Sequence, residues 1–211
     1  MYHRLLSLRQ TNTNVQLAMS AITHLNQLDP SKSYTYADYL TWQFQERVEL
    51  IKGKLFKMSP SPKRKHQSCV VNLVNEIHSF LKGHSCKVYI APFDVPLPKE
   101  ASSTYTVVQP DLCVVCDPNK LDEAGCVGAP DLIVEILSPA TTKKDKTDKY
   151  DLYQESGVLE YWIVYPEEEF IEAFVLKGKH YQRKGIYLKG EQMTTDILKG
   201  FNLNVDDVFE E

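Results

Sequence analysis

The run Leu132-Ile133-Val134-Glu135-Ile136-Leu137 is apolar except at one position and closes on Ser138-Pro139. A short apolar run of this kind, rich in β-branched residues and stopped by proline, reads as a strand covered on both faces. Similar runs surround it: Lys87 to Ala91, Asp94 to Leu97 and Leu112 to Cys116 before it, and Tyr161-Trp162-Ile163-Val164-Tyr165 after it. Proline or glycine separates the earlier ones, and a β-rich tail follows through Phe209.

Helices punctuate these strands. From Lys65 to Lys82, Val70, Leu73, Val74, Ile77, Phe80 and Leu81 recur at helical spacing, which gives an amphipathic helix with one buried stripe. A charged segment from Lys143 to Glu155 keeps Tyr150, Leu152 and Tyr153 for an inward face, with Gly157 where a helix would stop. Further upstream, Arg47 to Ile51, a Lys52-Gly53 turn and Lys54 to Met58 form a hairpin. Thr35 and Asp38 are a capping pair for a helix from Tyr36 to Phe44. Residues 1–33 lack strong periodicity and end near Leu28-Asp29-Pro30-Ser31, so they read as an N-terminal extension with a short helix from Val15 to Leu25, and residues 34–211 as the domain. Strands alternating with helices make an α/β layer structure, a central sheet flanked by helices with added β-hairpins.

At 211 residues, 43% hydrophobic and 25% charged, the chain suits one domain with a modest appendage and excludes a disordered or fibrous class. The net charge of −4 gives no global attraction to nucleic acid or an anionic membrane, so any such contact needs a local basic patch. Five cysteines, an odd number in a chain that needs no stapling, fit a reducing compartment, with the cytoplasm as the expected location. Residues 10–28 lack Asp, Glu, Lys and Arg but are rich in Gln, Asn, Ser and Thr, so no membrane span is expected.

The carboxylate of Glu135 is the feature that calls for chemistry. Burying it unpaired is costly, so it must meet a cation, a proton or a metal. Asp111 begins the neighbouring apolar strand directly after Gln109-Pro110, and two acids on adjacent strands can share a divalent cation. Mg²⁺ takes one or two carboxylates plus waters and phosphate oxygens, and the backbone carbonyl of Ile136 offers a further ligand. The competing reading is that Glu135 simply pairs with a core Arg or Lys. Positive charge lies nearby in Lys143, Lys144, Lys146 and Lys149, set against Asp145 and Asp148; on a helix Asp145, Lys149 and Tyr153 share one face, so Lys149 can point back toward the carboxylates. A second basic cluster, Lys63-Arg64-Lys65-His66, stands at the start of the long helix, where free backbone amides favour the phosphate backbone of a nucleic acid.

Gln109-Pro110-Asp111, Glu135 to Pro139, Asp145 with Lys149 and Tyr153, Gly157-Val158 and Glu160 to Val164 together resemble the signature blocks of the Uma-two family of restriction endonuclease-like proteins, in the PD-(D/E)XK nuclease superfamily. Val48 to Leu55, with Met58-Ser59-Pro60 and His66, is similar to that family's opening hairpin and helix, so the resemblance runs from about Tyr34 to Val208. It implies a restriction-endonuclease-like core. It also implies Asp111 and Glu135 as metal ligands, Glu49 as an acid reaching the metal through water, and His66 as the family histidine near the helix start. The superfamily's lysine two residues after the second acid is absent, since Leu137 stands there; the resemblance places it on the following helix, at Lys149. Tyr165-Pro166 departs from the Asp-Pro often found at that point.

The implied activity is Mg²⁺-dependent hydrolysis of DNA phosphodiesters, with Mn²⁺ as substitute, Asp111, Glu135, Lys149 and Glu49 as the catalytic set, and a homodimer as the geometry suited to cutting two strands. The alternative is a nuclease-fold module of little activity that binds nucleic acid or protein. Cys113 and Cys116 form a C-x-x-C pattern inside an apolar strand, which reads as packing rather than redox chemistry or zinc. No glycine-rich phosphate loop is present, so NTP-driven chemistry has no support.

Overall fold

A computed structural model describes residues 21–58, 63–98, 104–138 and 147–211. The expected central run is β7 (Leu132–Ile136), buried at every position, between β6 (Leu112–Val115) and β8 (Glu160–Tyr165), which are buried throughout as well. These join β3 (Lys87–Ile90), β9 (Phe170–Lys177) and β10 (His180–Leu188) in a six-stranded sheet of order β10-β9-β8-β7-β6-β3. Pairing is antiparallel except between β7 and β8, which run parallel. A parallel pair needs a crossover, and α3 (Asp148–Ser156) lies between the two strands in sequence.

Strand parity divides the core into two layers. Leu132, Val134 and Ile136 meet Leu112, Val114 and the stripe Cys69, Val70, Leu73, Ile77 and Leu81 of α2 (Arg64–Leu81). The short helix α4 (Val205–Phe209) packs on this face beside the ribbon of β11 (Gln192–Thr194) and β12 (Asn202–Asn204). On the opposite face, Ile133 and Leu137 meet Leu152 and Tyr153 of α3 and residues of a second sheet. That sheet has the order β2-β1-β5-β4 and is built from β1 (Val48–Ile51), β2 (Lys54–Lys57), β4 (Val95–Pro96) and β5 (Val107–Val108). Both faces of the central strands are thus covered, which explains why their sequence is continuously apolar rather than alternating.

The β1–β2 hairpin closes through Lys52 (φ 49°) and Gly53 (φ 79°), both left-handed, as a two-residue primed turn requires. A Cβ at Gly53 would collide with the Ser33 side chain. The capping pair of Thr35 and Asp38 is present, but its helix is shorter than the Tyr36–Phe44 span expected. α1 covers only Tyr36–Tyr39. Beyond it Gln43 donates to the carbonyl of Ile22, and Trp42 bridges Ile22, so a competing pairing with residues before the domain ends the helix. Of the expected helix from Val15 to Leu25, residues 15–20 lie outside the described residues, and Leu25–Gln27 forms a single tight turn.

The C-x-x-C reading needs correction at one cysteine. Cys113 is buried against the α3 face, as expected of packing, but Cys116 lies just past β6 and is disulfide-bonded to Cys86. The β3–β6 register, Lys87 opposite Val115, brings those two cysteines together. Three residues of separation put Cys113 and Cys116 on opposite faces, so they form no pair. Cys69, Cys113 and Cys126 are buried free thiols. No helix among the described residues is long and apolar enough to cross a membrane.

Candidate active site

Period-two alternation puts Glu135 on the α3 face of β7, in step with Ile133 and Leu137. Leu112 pairs with Val134 across β6 and β7, and extending that register by one residue sets Asp111 opposite Glu135. Glu49 arrives from β1 of the smaller sheet, and Lys149 and Tyr153, one helical turn apart, from α3. Four elements distant in sequence therefore meet at one end of the large sheet.

The contacts are specific. Lys149 Nζ lies 2.7 Å from Glu135 Oε1 and 3.1 Å from Glu49 Oε1. Tyr153 donates its hydroxyl to the same Glu135 oxygen at 2.6 Å. Glu49 Oε1 also accepts from the Gln109 backbone N–H at 3.1 Å. Glu49, Glu135 and Lys149 are all but inaccessible, at 1%, 3% and 4% exposure. Burial first, then the charges of Glu135 and Glu49, push the Tyr153 phenol well above its ordinary 10.0, so it acts as a fixed donor. The core cation weighed for Glu135 from sequence is Lys149, the residue also implied by the resemblance.

Asp111 forms the mouth of the cluster, its side chain 21% exposed. Its Oδ2 accepts from the Ile136 backbone N–H at 2.8 Å and lies 3.3 Å from His66 Nε2. Leu137 N donates to Val164 O on β8; the peptide groups of Ile136, one residue earlier, therefore face β6, and its carbonyl lies on the same side as the N–H that meets Asp111.

The basic cluster at the start of α2 divides. Lys63 is exposed, Arg64 pairs with Glu211 at 2.7 Å, and Lys65 pairs with Glu167 at 3.1 Å. His66 turns inward, is buried, and joins the carboxylate site through Asp111, leaving its Nδ1 without a hydrogen-bond partner. Lys143, Lys144, Asp145 and Lys146 lie outside the described residues.

Sequence reasoning left without a role the network that supports this site from the side. Arg47 donates through Nε (3.1 Å) and Nη2 (2.9 Å) to Gln109 Oε1. Gln109 Nε2 donates to Asp94 Oδ1 at 2.7 Å, and the Tyr39 hydroxyl donates to the same oxygen at 3.1 Å. Gln109 stood in the quoted Gln-Pro-Asp block, but Arg47, Asp94 and Tyr39 carry no local spacing signal; only the fold gathers them.

Among the described residues, Glu49 and Glu135 share the Lys149 ammonium, and Asp111 stands at the rim beside His66. Carboxylate oxygens gathered at a partly open edge are the donor type a hard divalent cation takes. No three His, Cys, Asp or Glu side chains among the described residues enclose a metal by themselves. The donors fit Mg²⁺, which retains waters and uses one or two carboxylates, rather than an all-protein cage.

Comparison with known proteins agrees with this architecture. Two Synechocystis proteins of uncharacterised role are similar: slr1290, 29% identical over 129 residues, and sll1609, 23% identical over 159 residues. These alignments cover 60% and 74% of this chain; they span 65% of slr1290, under two thirds of its length, and 84% of sll1609. A crystal structure from Anabaena variabilis, described as "a putative nuclease belonging to DUF820", superposes with a TM-score of 0.67 at 19% identity, covering 83% of this chain and 97% of that one. That likeness establishes the shared fold. The model of the Uma2 family, described as "Putative restriction endonuclease", matches residues 36–206, and the chain belongs to that family of restriction endonuclease-like nucleases.

Proposed function

We propose that the protein is a metal-dependent endonuclease that hydrolyses phosphodiester bonds of DNA, using Mg²⁺ or, in its place, Mn²⁺. The observation that carries this reading is the convergence of a buried lysine and a buried tyrosine on one oxygen of Glu135, beside buried Glu49 and a partly exposed Asp111. A purely structural ion pair needs one acid and one base; this cluster gathers two buried acids on one lysine and keeps a third carboxylate at the solvent boundary.

Asp111, Glu135 and the Ile136 carbonyl would hold the cation, which supplies Lewis-acid stabilisation of phosphate charge and acidifies water. Glu49 lies within reach of the same region through Lys149. Lys149 and Tyr153 fix the Glu135 carboxylate in one orientation, so it need not reorganise as charge develops. The lysine also stands ready to orient attacking water or to stabilise charge on the pentavalent transition state. Lys63, Arg64 and Lys65 would contact the phosphate backbone, the last two by exchanging exposed carboxylate partners, a step of low cost because solvent screens exposed pairs. A homodimer with two-fold symmetry would place two such centres on the two strands of a duplex.

The test is plasmid nicking with Mg²⁺, Mn²⁺ or EDTA, comparing the parent with Asp111→Asn, Glu135→Gln and Lys149→Met. The expected result is metal-dependent nicking by the parent, eliminated by chelation and lowered at least a hundredfold in each variant. A parent that nicks in no divalent ion, yet retards DNA, would replace the enzyme with a nucleic-acid-binding module on the same fold. The Glu211 and Glu167 carboxylates on Arg64 and Lys65 favour neither outcome.

A further inference from the structure

Arg47 stands apart from the other described arginines. Arg64 and Arg183 each pair with a carboxylate, Glu211 and Glu172, whereas no carboxylate among the described residues lies within ion-pair distance of Arg47. Its guanidinium is held by a neutral amide oxygen, Gln109 Oε1, through the Nε and Nη2 hydrogens. The orientation of that amide is forced, since arginine can only donate and the Asp94 carboxylate on its other side accepts from Gln109 Nε2. A neutral acceptor fixes a guanidinium without cancelling its charge. Two of five N–H donors are used, so the Nη1 end remains to donate in a fork. The residue is exposed and precedes Glu49 by two positions, which puts both side chains on one face of the β1 segment about 7 Å apart along the chain. The Gln109 that holds Arg47 also donates its backbone N–H to Glu49.

We propose that Arg47 is a substrate-binding residue that clamps a phosphodiester group of the nucleic-acid backbone beside the carboxylate cluster, with Gln109 as its positioning residue. The inference rests on the endonuclease reading for its substrate class, but not on cleavage occurring. A phosphate oxygen pair matches the fork of the free guanidinium edge, and it supplies the negative charge that this arginine lacks in the folded chain. Lysine offers no such fork, so the substitution Arg47→Lys keeps the charge and loses the geometry.

The experiment is fluorescence anisotropy of a labelled DNA duplex with the full chain in Ca²⁺, across a salt series, for the parent, Arg47→Gln, Arg47→Lys and Lys57→Gln. Lys57 lies exposed on β2 opposite Val48 and pairs with Glu46, one position out of step with Arg47, so that strand alternation sets it on the other face of the hairpin. The expected result is roughly tenfold weaker binding by Arg47→Gln, with the slope of log affinity against log salt reduced by about 1. Arg47→Lys should retain the slope while losing part of the affinity, and Lys57→Gln should match the parent. A merely structural arginine would leave the slope unmoved, so parent-like affinity and slope in Arg47→Gln overturns the proposal, as does a parent that binds no duplex. Binding behaviour as expected, together with a parent that never nicks plasmid, sinks the endonuclease reading and leaves the clamp standing.

Discussion

Two glutamates buried in adjacent central strands show how one residue type serves different ends. Glu160 on β8 is fully inaccessible and accepts hydrogen bonds from the Trp162 indole, the Thr195 hydroxyl and the Asp196 backbone N–H. All its partners are dipoles, and it ties β8 to the segment after β11. Glu135 instead takes an ammonium and a phenol on one oxygen, next to two further acids. Glu135→Ala would take from the buried Lys149 ammonium its shorter ion pair while Glu49 stays 3.1 Å away, and we expect a loss of about 3 kcal/mol in urea unfolding, the low end for a broken buried pair. The triple variant Glu135→Leu/Lys149→Met/Glu49→Gln, which takes the charge off all three buried partners, should recover most of that stability while remaining inactive. If the single and triple variants melt alike, the ion pairing is not what holds this part of the core.

At the scale of elements, periodicity identified α2 to within a residue at each end, because Cys69, Val70, Leu73, Ile77 and Leu81 all face one core layer. The central strands were legible for a similar reason, since β6, β7 and β8 are buried on both faces and admit few polar residues. α1 was not: its length is set by the distant Ile22–Trp42 pairing, which no local pattern announces. The Cys86–Cys116 bond was illegible as well, being a product of register between β3 and β6. The end of α3 was read from Gly157, which adopts φ 85° and closes the helix with its N–H on the Gln154 and Tyr153 carbonyls. Gly157→Ala should cost about 1 kcal/mol through left-handed strain, with no atom in its path, measurable as a lower midpoint in denaturant. An unchanged midpoint would show that the helix ends there for another reason.

Across the whole molecule, what the sequence conveyed about the site was its acids and its lysine, because a charge in an apolar strand and a family-like spacing are both visible in one dimension. Tyr153 as an oxygen donor, His66 as an inward-facing partner of Asp111 and the Arg47–Gln109–Asp94 chain required the third dimension. The same close packing sets a response to alkali. Burial first of all pushes the Cys69 and Cys126 thiols from 9.0 up to about 11, and raises the phenols of Tyr39, Tyr165 and Tyr181. Folding thus favours the protonated form of each. For the thiols, that contribution is complete below pH 9.0 and is lost as pH climbs toward about 11. Thermal melts should therefore hold steady up to about pH 9 and then decline, and a flat profile through about pH 11 would contradict the burial of these groups.

Lys149 touches Glu135 of the large sheet and Glu49 of the small one from a helix that belongs to neither. The reactive centre is for that reason also a seam. Any breathing that draws the two sheets apart must pull the ammonium away from at least one of these two anions in a place water scarcely reaches. Competence for chemistry and cohesion between the layers are consequently gained and lost together.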